Sequence, residues 1–154
     1  MPPLVVSNPQ TLKELVGREI GVTEWFRVVQ ERIALFAEAT EDRQWIHVDQ
    51  ARASKELPYG TTIAHGFLTL SLISHFLGAA IQIQSGVRLA VNYGLNRVRF
   101  PAPVPADSRI RARVVLLALK ELSDSVEAAY SVTIECEQAE KPACVAEWIV
   151  RYYL

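Results

Sequence analysis

The sequence has no excess of positive charge: sixteen Lys and Arg against seventeen Asp and Glu leave a formal charge of −1. A nucleic-acid-binding face normally shows as clustered basic residues, so nucleic acid is not an expected partner. Cysteine is scarce as well. Cys136 and Cys144 flank a turn and could face each other across a hairpin. A cytosolic core keeps such a pair reduced, and neither has a second cysteine at metal-finger spacing, so no chemistry is assigned to them. The opening MPPLVVSNPQ lacks the charged and apolar regions of a secretory signal, which makes the cytoplasm the expected location. Internal repeats, linkers and low-complexity tracts are missing too, and 154 residues suit one domain over 1–154 that buries a core without staples.

What the chain has is one very apolar stretch. Residues 63–83, IAHGFLTLSLISHFLGAAIQI, hold 15 apolar or glycine positions out of 21; the polar ones are His65, Thr69, Ser71, Ser74, His75 and Gln82. A helix hydrophobic nearly all round lies inside a protein or spans a bilayer. Two histidines, and no Lys or Arg at either end, argue against spanning, and the amphipathic strands that follow need something to cover. No membrane is expected as a partner, and the segment is expected to form one long buried helix.

Around it the periodicities alternate. Thr11-Leu12-Lys13-Glu14 has the form of a capping box before a short helix ending at Gly17. Ile20, Val22, Glu24 and Phe26 alternate with their neighbours as a first strand. Ile33, Phe36, Ala37 and Thr40 recur at helical spacing over residues 30–40, a helix with no Ser or Thr cap. Residues 41–48 break that period as a loop, and Asp49 caps a polar helix over 50–56. Beyond Val87 the period is two: strands over 89–100, from Arg109 to Ala118, from Val126 to Cys136, and a last row of Cys144, Ala146, Trp148, Val150 and Tyr152. The expectation is an α+β fold in which a four-stranded antiparallel meander wraps the central helix. Its open edges make a homodimer the economical expectation.

Titratable residues concentrate in Glu41-Asp42-Arg43-Gln44-Trp45-Ile46-His47. On a regular helix Asp42 and His47 would diverge by about 140°, so only a loop brings them together. If both reach one water they can take a proton from it and return one to carbon, which is general acid–base chemistry. The same residues are compatible with Asp42 capping a turn and His47 being half-buried. Gly66, at the start of the apolar helix, offers an uncrowded N–H at the positive end of the dipole, suited to an oxygen that turns negative during reaction; it also suits plain close packing. Ser71, Ser74 and Gly78 form a small-residue stripe that admits an acyl chain or a neighbouring element, or packs on the domain's own strands. His65 and His75 project about 80° apart, nearly three turns from each other, so they share no metal ion. Arg97, Arg99, Arg109, Arg111 and Arg113 suit a solvated strand face better than a phosphate site.

Phe36-Ala37 through Asp42 and His47, followed by Thr62-Ile63-Ala64-His65-Gly66-Phe67, resembles the MaoC-like, or R-specific, enoyl-CoA hydratases. That family's signature runs Gly-Asp-x-Asn-Pro-aliphatic-His; here Asp42, Ile46 and His47 match, while Glu41, Gln44 and Trp45 replace Gly, Asn and Pro. The Asp-x-Gln-Trp-Ile-His form, with residues 93–101 (YGLNRVRFP), is similar to the family's NodN-like branch. The resemblance implies a hot-dog fold and reversible hydration of trans-2-enoyl-CoA to (R)-3-hydroxyacyl-CoA, with coenzyme A or an acyl carrier as the thioester handle and no other cofactor. It implies Asp42 and His47 as the catalytic dyad, the Gly66 N–H as oxyanion hole, and Ser74 in the substrate site; among the departures, the bulkier Trp45 reshapes the loop entrance or the acyl pocket, and Gln44 keeps an amide of longer reach at the substrate site. Two other functions compete: thioester hydrolysis, which in hot-dog proteins often uses a carboxylate on the central helix, where residues 63–83 have none; and non-catalytic binding of acyl thioesters with Trp45 closing the pocket.

Overall fold

A computed structural model describes residues 2–154. The elements are β1 (Leu4–Val6), a 3-10 helix (Pro9–Leu15), β2 (Glu19–Val22), β3 (Phe26–Arg27), α1 (Gln30–Thr40), α2 (Trp45–Val48) and α3 (Gln50–Glu56). They continue with α4 (Gly66–Ser71), α5 (Ile73–Ala80), β4 (Ile81–Ile83), β5 (Leu89–Arg99), β6 (Arg109–Glu121), β7 (Ser125–Cys136) and β8 (Cys144–Tyr153). The main sheet is antiparallel in the order β2-β6-β7-β8-β5, with β3 also pairing β6, and β1 pairs β4 in a separate parallel ribbon. This is the expected α+β hot-dog arrangement. The inner row of β6, β7 and β8 (Ala112, Val114, Tyr130, Val132, Trp148, Val150) packs on Leu68, Leu72, Ile73, Phe76 and Leu77 of the helical segment. Each such side chain removed from water contributes about 1.5–3 kcal/mol. Gly21 lets β2 come close to the end of α5, since a Cβ there would stand 3.1 Å from that of Ala80.

Four expectations are corrected. The stretch 63–83 is not one helix. Ile63 to His65 are extended because their backbone is bonded elsewhere, Ile63 N–H to Ile46 and Ala64 N–H to Val104. The helix proper is broken at Leu72, whose N–H is shared between the Leu68 and Leu70 carbonyls while the Ser71 hydroxyl donates back to Phe67 O at 2.6 Å. Such back-bonding bends helices. Residues 81–83 leave the helix to pair with β1. Second, the strands are not a simple meander: β6, β7 and β8 follow in order, but β5 sits at the far edge on β8. Third, the first strand is interrupted between β2 and β3, and the first helix is a 3-10 turn capped by Asn8, whose Oδ1 accepts from Thr11 N–H, rather than by Thr11. Fourth, the inner row of β6 stops at Leu116; a register shift before Ala118 turns that residue outward.

The cysteines are free and buried, and burial pushes the Cys144 thiol up to about 11, so both stay protonated. The outward arginines of β6 are held by carboxylates across the sheet: Arg109 by Glu137, Arg111 by Glu135, Arg113 by Glu19 and Glu135. That is the solvated strand face expected of them. No helix of the described residues is long and apolar enough to cross a membrane.

Candidate active site

The site is assembled where three segments meet: the exit of α1, the single turn α2, and the extended residues before α4. α1 leaves its helix at Glu41, which has a φ of 61°. That is the left-handed region glycine favours, and it is the position at which the signature has glycine. Glu41 is held there by Arg43, whose guanidinium also bonds Glu38 at 2.8 and 2.9 Å. The loop then runs through Asp42, whose carboxylate accepts weakly from Gln44 N–H at 3.5 Å. Gln44 is the N-cap of α2, so the expected loop over 41–48 is only half loop: its second half is helical, and His47 N–H bonds the Gln44 carbonyl at 3.0 Å.

A lone helical turn does not hold itself. α2 is fixed from outside: Ile63 N–H donates to Ile46 O at 3.0 Å, and the Gln30 amide donates to His47 O at 2.8 Å. The Thr62 hydroxyl in turn donates to the Gln30 side-chain oxygen. Thr62 itself is fully buried.

His47 is buried. Its Nδ1 lies 2.7 Å from the Ile63 carbonyl. A carbonyl only accepts, so Nδ1 carries the hydrogen and the neutral ring presents a bare Nε2. Burial pulls the His47 pKa below 6.5; the Ile63 bond opposes this, His65 adds to it, and the Asp42 charge opposes it. The ring therefore favours the uncharged form that can accept a proton.

Asp42, His47 and His65 offer side-chain ligand atoms that all lie within 4.8 Å of one another. The expected pair is brought together, and a third residue joins it that the sequence reading left without a role. The trio has the donor types for a divalent cation. The two imidazoles, however, are stacked, with centroids 3.7 Å apart and planes 22° apart. In-plane lone pairs of stacked rings run side by side rather than converging, so ligation by both requires one ring to turn. His75 lies elsewhere, against Phe26 and Phe76.

Gly66 begins α4, which has no side-chain cap, leaving first-turn amides free by helix geometry. A Cβ at Gly66 would stand 3.1 Å from Cγ of Phe100, so the close-packing role is also real. Trp45 opens α2 with the Arg52 guanidinium 4.0 Å above its ring. Ser74 is not with the dyad. It lies eight residues along, roughly 12 Å of helix, and lines a groove of about 420 Å³ between α5 and β5–β8 with Leu77, Gly78, Asn92, Trp148 and Tyr152. Ser71, Ser74 and Gly78 are all exposed, so the small-residue stripe faces outward rather than into the core: Ser74 and Gly78 line this groove, and Ser71 lines an adjoining cavity that shares Ser74, Asn92 and Trp148. Gln30, Thr62 and His65 are the residues the sequence reading missed as site components. Thr62 and His65 carried a signal, since both stand in the motif over 62–67 and His65 is also polar in an apolar run; Gln30 carried none.

Comparison with known proteins gives the family and the fold. A family described as "MaoC like domain" matches residues 11–137. The 3-hydroxyacyl-thioester dehydratase Z of Mycobacterium tuberculosis (strain ATCC 25618 / H37Rv) is 51% identical over 142 residues, 92% of this chain and 93% of that one. The Nodulation protein N of Rhizobium meliloti is 44% identical over 139 residues, covering 90% and 86%. The solved (R)-hydratase from A. caviae involved in PHA biosynthesis superposes with a TM-score of 0.68 at 28% identity, over 87% of this chain and 96% of that one.

Proposed function

Because the chain belongs to the MaoC-like dehydratase family and is a hydro-lyase, we propose that it adds water reversibly across a trans-2-enoyl thioester to give the (R)-3-hydroxyacyl thioester, with Asp42 and His47 as the dyad. The observation that carries this reading is the convergence of the Asp42 carboxylate on a His47 ring whose Nε2 is bare. Both are hydrogen-bond acceptors, and a water between them spends its two O–H bonds on them, leaving a lone pair for C3 of the enoyl group. As the C3–O bond forms, one O–H bond breaks and its proton enters the pair, where the Asp42 charge favours a protonated His47. The electron pair of the double bond moves to the thioester oxygen and then takes the proton back at C2. Water is added, and the dyad ends as it began.

The thioester oxygen carries negative charge midway, and the Gly66 N–H at the start of α4 is the donor we assign to it. The acyl chain then follows the Ser71, Ser74 and Gly78 stripe into the apolar groove, with Ser74 as a wall residue and Gln44 and Trp45 at the entrance. The thioester handle is coenzyme A or an acyl carrier, and the chemistry calls for no further cofactor. β5 is an edge strand exposing Leu89, Val91, Tyr93 and Leu95 beside this groove, so a second copy pairing there, as a homodimer, would bury both the edge and the groove mouth. Thioester hydrolysis is disfavoured because α4 and α5 contain no carboxylate.

The test is hydration of crotonyl-CoA, followed at the enoyl-thioester absorbance. Asp42→Asn and His47→Gln are expected to lower turnover by roughly 10²- to 10⁴-fold without unfolding the protein. Wild-type turnover in either removes the dyad.

A further inference from the structure

His65 sits at the N-cap of α4, only 3% exposed, yet makes no capping bond. Its ring is engaged in the other direction. Nε2 lies 2.9 Å from the backbone carbonyl of Asp42. Since that carbonyl only accepts, Nε2 bears the hydrogen. The face of the ring lies on His47 at 3.7 Å between centroids, and Phe36 packs against it at 4.9 Å and 55°. Its Nδ1 is buried with no hydrogen-bond partner among the described residues. A buried polar atom left unpaired is destabilising, and an apolar residue of similar shape would avoid that. What the histidine supplies beyond shape is one N–H aimed at the Asp42 loop and one flat ring under His47.

We propose that His65 is a positioning residue for the dyad: its N–H fixes the carbonyl of Asp42, and so the loop bearing the carboxylate, while its ring fixes the plane of His47. This rests on the dyad reading above. The two catalytic groups stand on separate elements, Asp42 on a loop leaving α1 and His47 on a one-turn helix, and neither bonds the other directly through its backbone. His65 touches both. A loop that slides by about 1 Å loses on the order of 10² in rate, so the contact acts on turnover more than on binding. The titratable groups facing His47 are Asp42 from the loop after α1 and His65 itself.

Two variants separate the contacts. His65→Phe keeps the plate and deletes the N–H; His65→Gln keeps an N–H of similar reach and deletes the plate. With crotonyl-CoA, both are expected to lower kcat by roughly ten- to a hundredfold while KM changes less than about threefold. A folded variant of either kind with wild-type kcat overturns the inference, as does a loss carried by KM with kcat unchanged. If Asp42→Asn itself retains full turnover, the dyad reading fails; if it does not, and the His65 variants do, only this inference fails.

Discussion

Gln30→Met should damage the site from a distance, and the structure sets the size of the effect. Gln30 is the first residue of α1; its oxygen accepts from the buried Thr62 hydroxyl and its amide donates to the His47 carbonyl at 2.8 Å. Methionine has nearly the same shape and packs in the same place, but both hydrogen bonds go. The Thr62 hydroxyl is left buried and unpaired, at about 1–3 kcal/mol, and the His47 carbonyl loses about 1 kcal/mol more, so the loss is about 2–4 kcal/mol and for a chain of this size the unfolding midpoint falls by at least roughly 4 °C. The second effect falls on rate. α2 is a single turn, held by Gln30 on one side and Ile63 on the other. Freed on one side, His47 samples poorer geometries, and kcat should fall about tenfold with KM little changed. The assay is thermal unfolding together with steady-state hydration of crotonyl-CoA. A midpoint shift below about 1 °C with unchanged kcat would refute the claim that Gln30 anchors α2.

Three other perturbations have definite outcomes. Burial lowers the His47 pKa below 6.5, so the acid limb of the hydration rate should lie below that of an ordinary histidine, and activity should vanish as pH falls through it and Nε2 becomes occupied. By the same sign, His47 adds stability above its unfolded pKa that is lost as pH drops through the folded one, and His47→Gln should remove that part of the pH dependence. Gly66→Ala keeps the N–H but sets a Cβ 3.1 Å from the half-exposed Phe100 ring; it should lower turnover by crowding the approach to that N–H, and full turnover in the folded variant would show that the approach does not need a glycine. Tyr130→Phe removes the partner of the Tyr152 hydroxyl, 2.8 Å away in the core, and should lower stability by about 1–3 kcal/mol in denaturant titration with the fold intact.

Several elements were legible before any coordinates. α1 and the Asp49-capped α3 lie over the expected residues, since periodicity and capping are local properties that tertiary contacts here reinforce. The alternating rows of β7 and β8 are likewise local. The misreadings share one cause, partners distant in sequence. Ile63, Ala64 and residues 81–83 are as apolar as the helix between them, and only bonds to Ile46, Val104 and β1 reveal that they are extended. Nothing in the period of β5 says that it pairs β8 instead of β6. Asp42 and His47 were visible as candidates by type and spacing. Gln30 was not, because a polar residue opening a helix is ordinary until its two partners are seen. His65 was visible as part of the motif over 62–67 and as a polar oddity, but with no partner to give it a role.

The extended residues before α4 also decide when the site can exist during folding. Ala106 N–H donates to Thr62 O and Ala64 N–H to Val104 O, each at 2.8 Å, across about forty residues of chain. Pairing of strips so far apart in the chain is slow compared with forming a helical turn. Asp42, His47 and His65 are near neighbours along the chain, yet the strip that gathers them is clamped only once residues 104–106 have arrived. Catalytic competence should thus appear late in refolding, after helical signal has been regained, and the pair of strips at 62–64 and 104–106 acts as the latch whose closing switches the enzyme on.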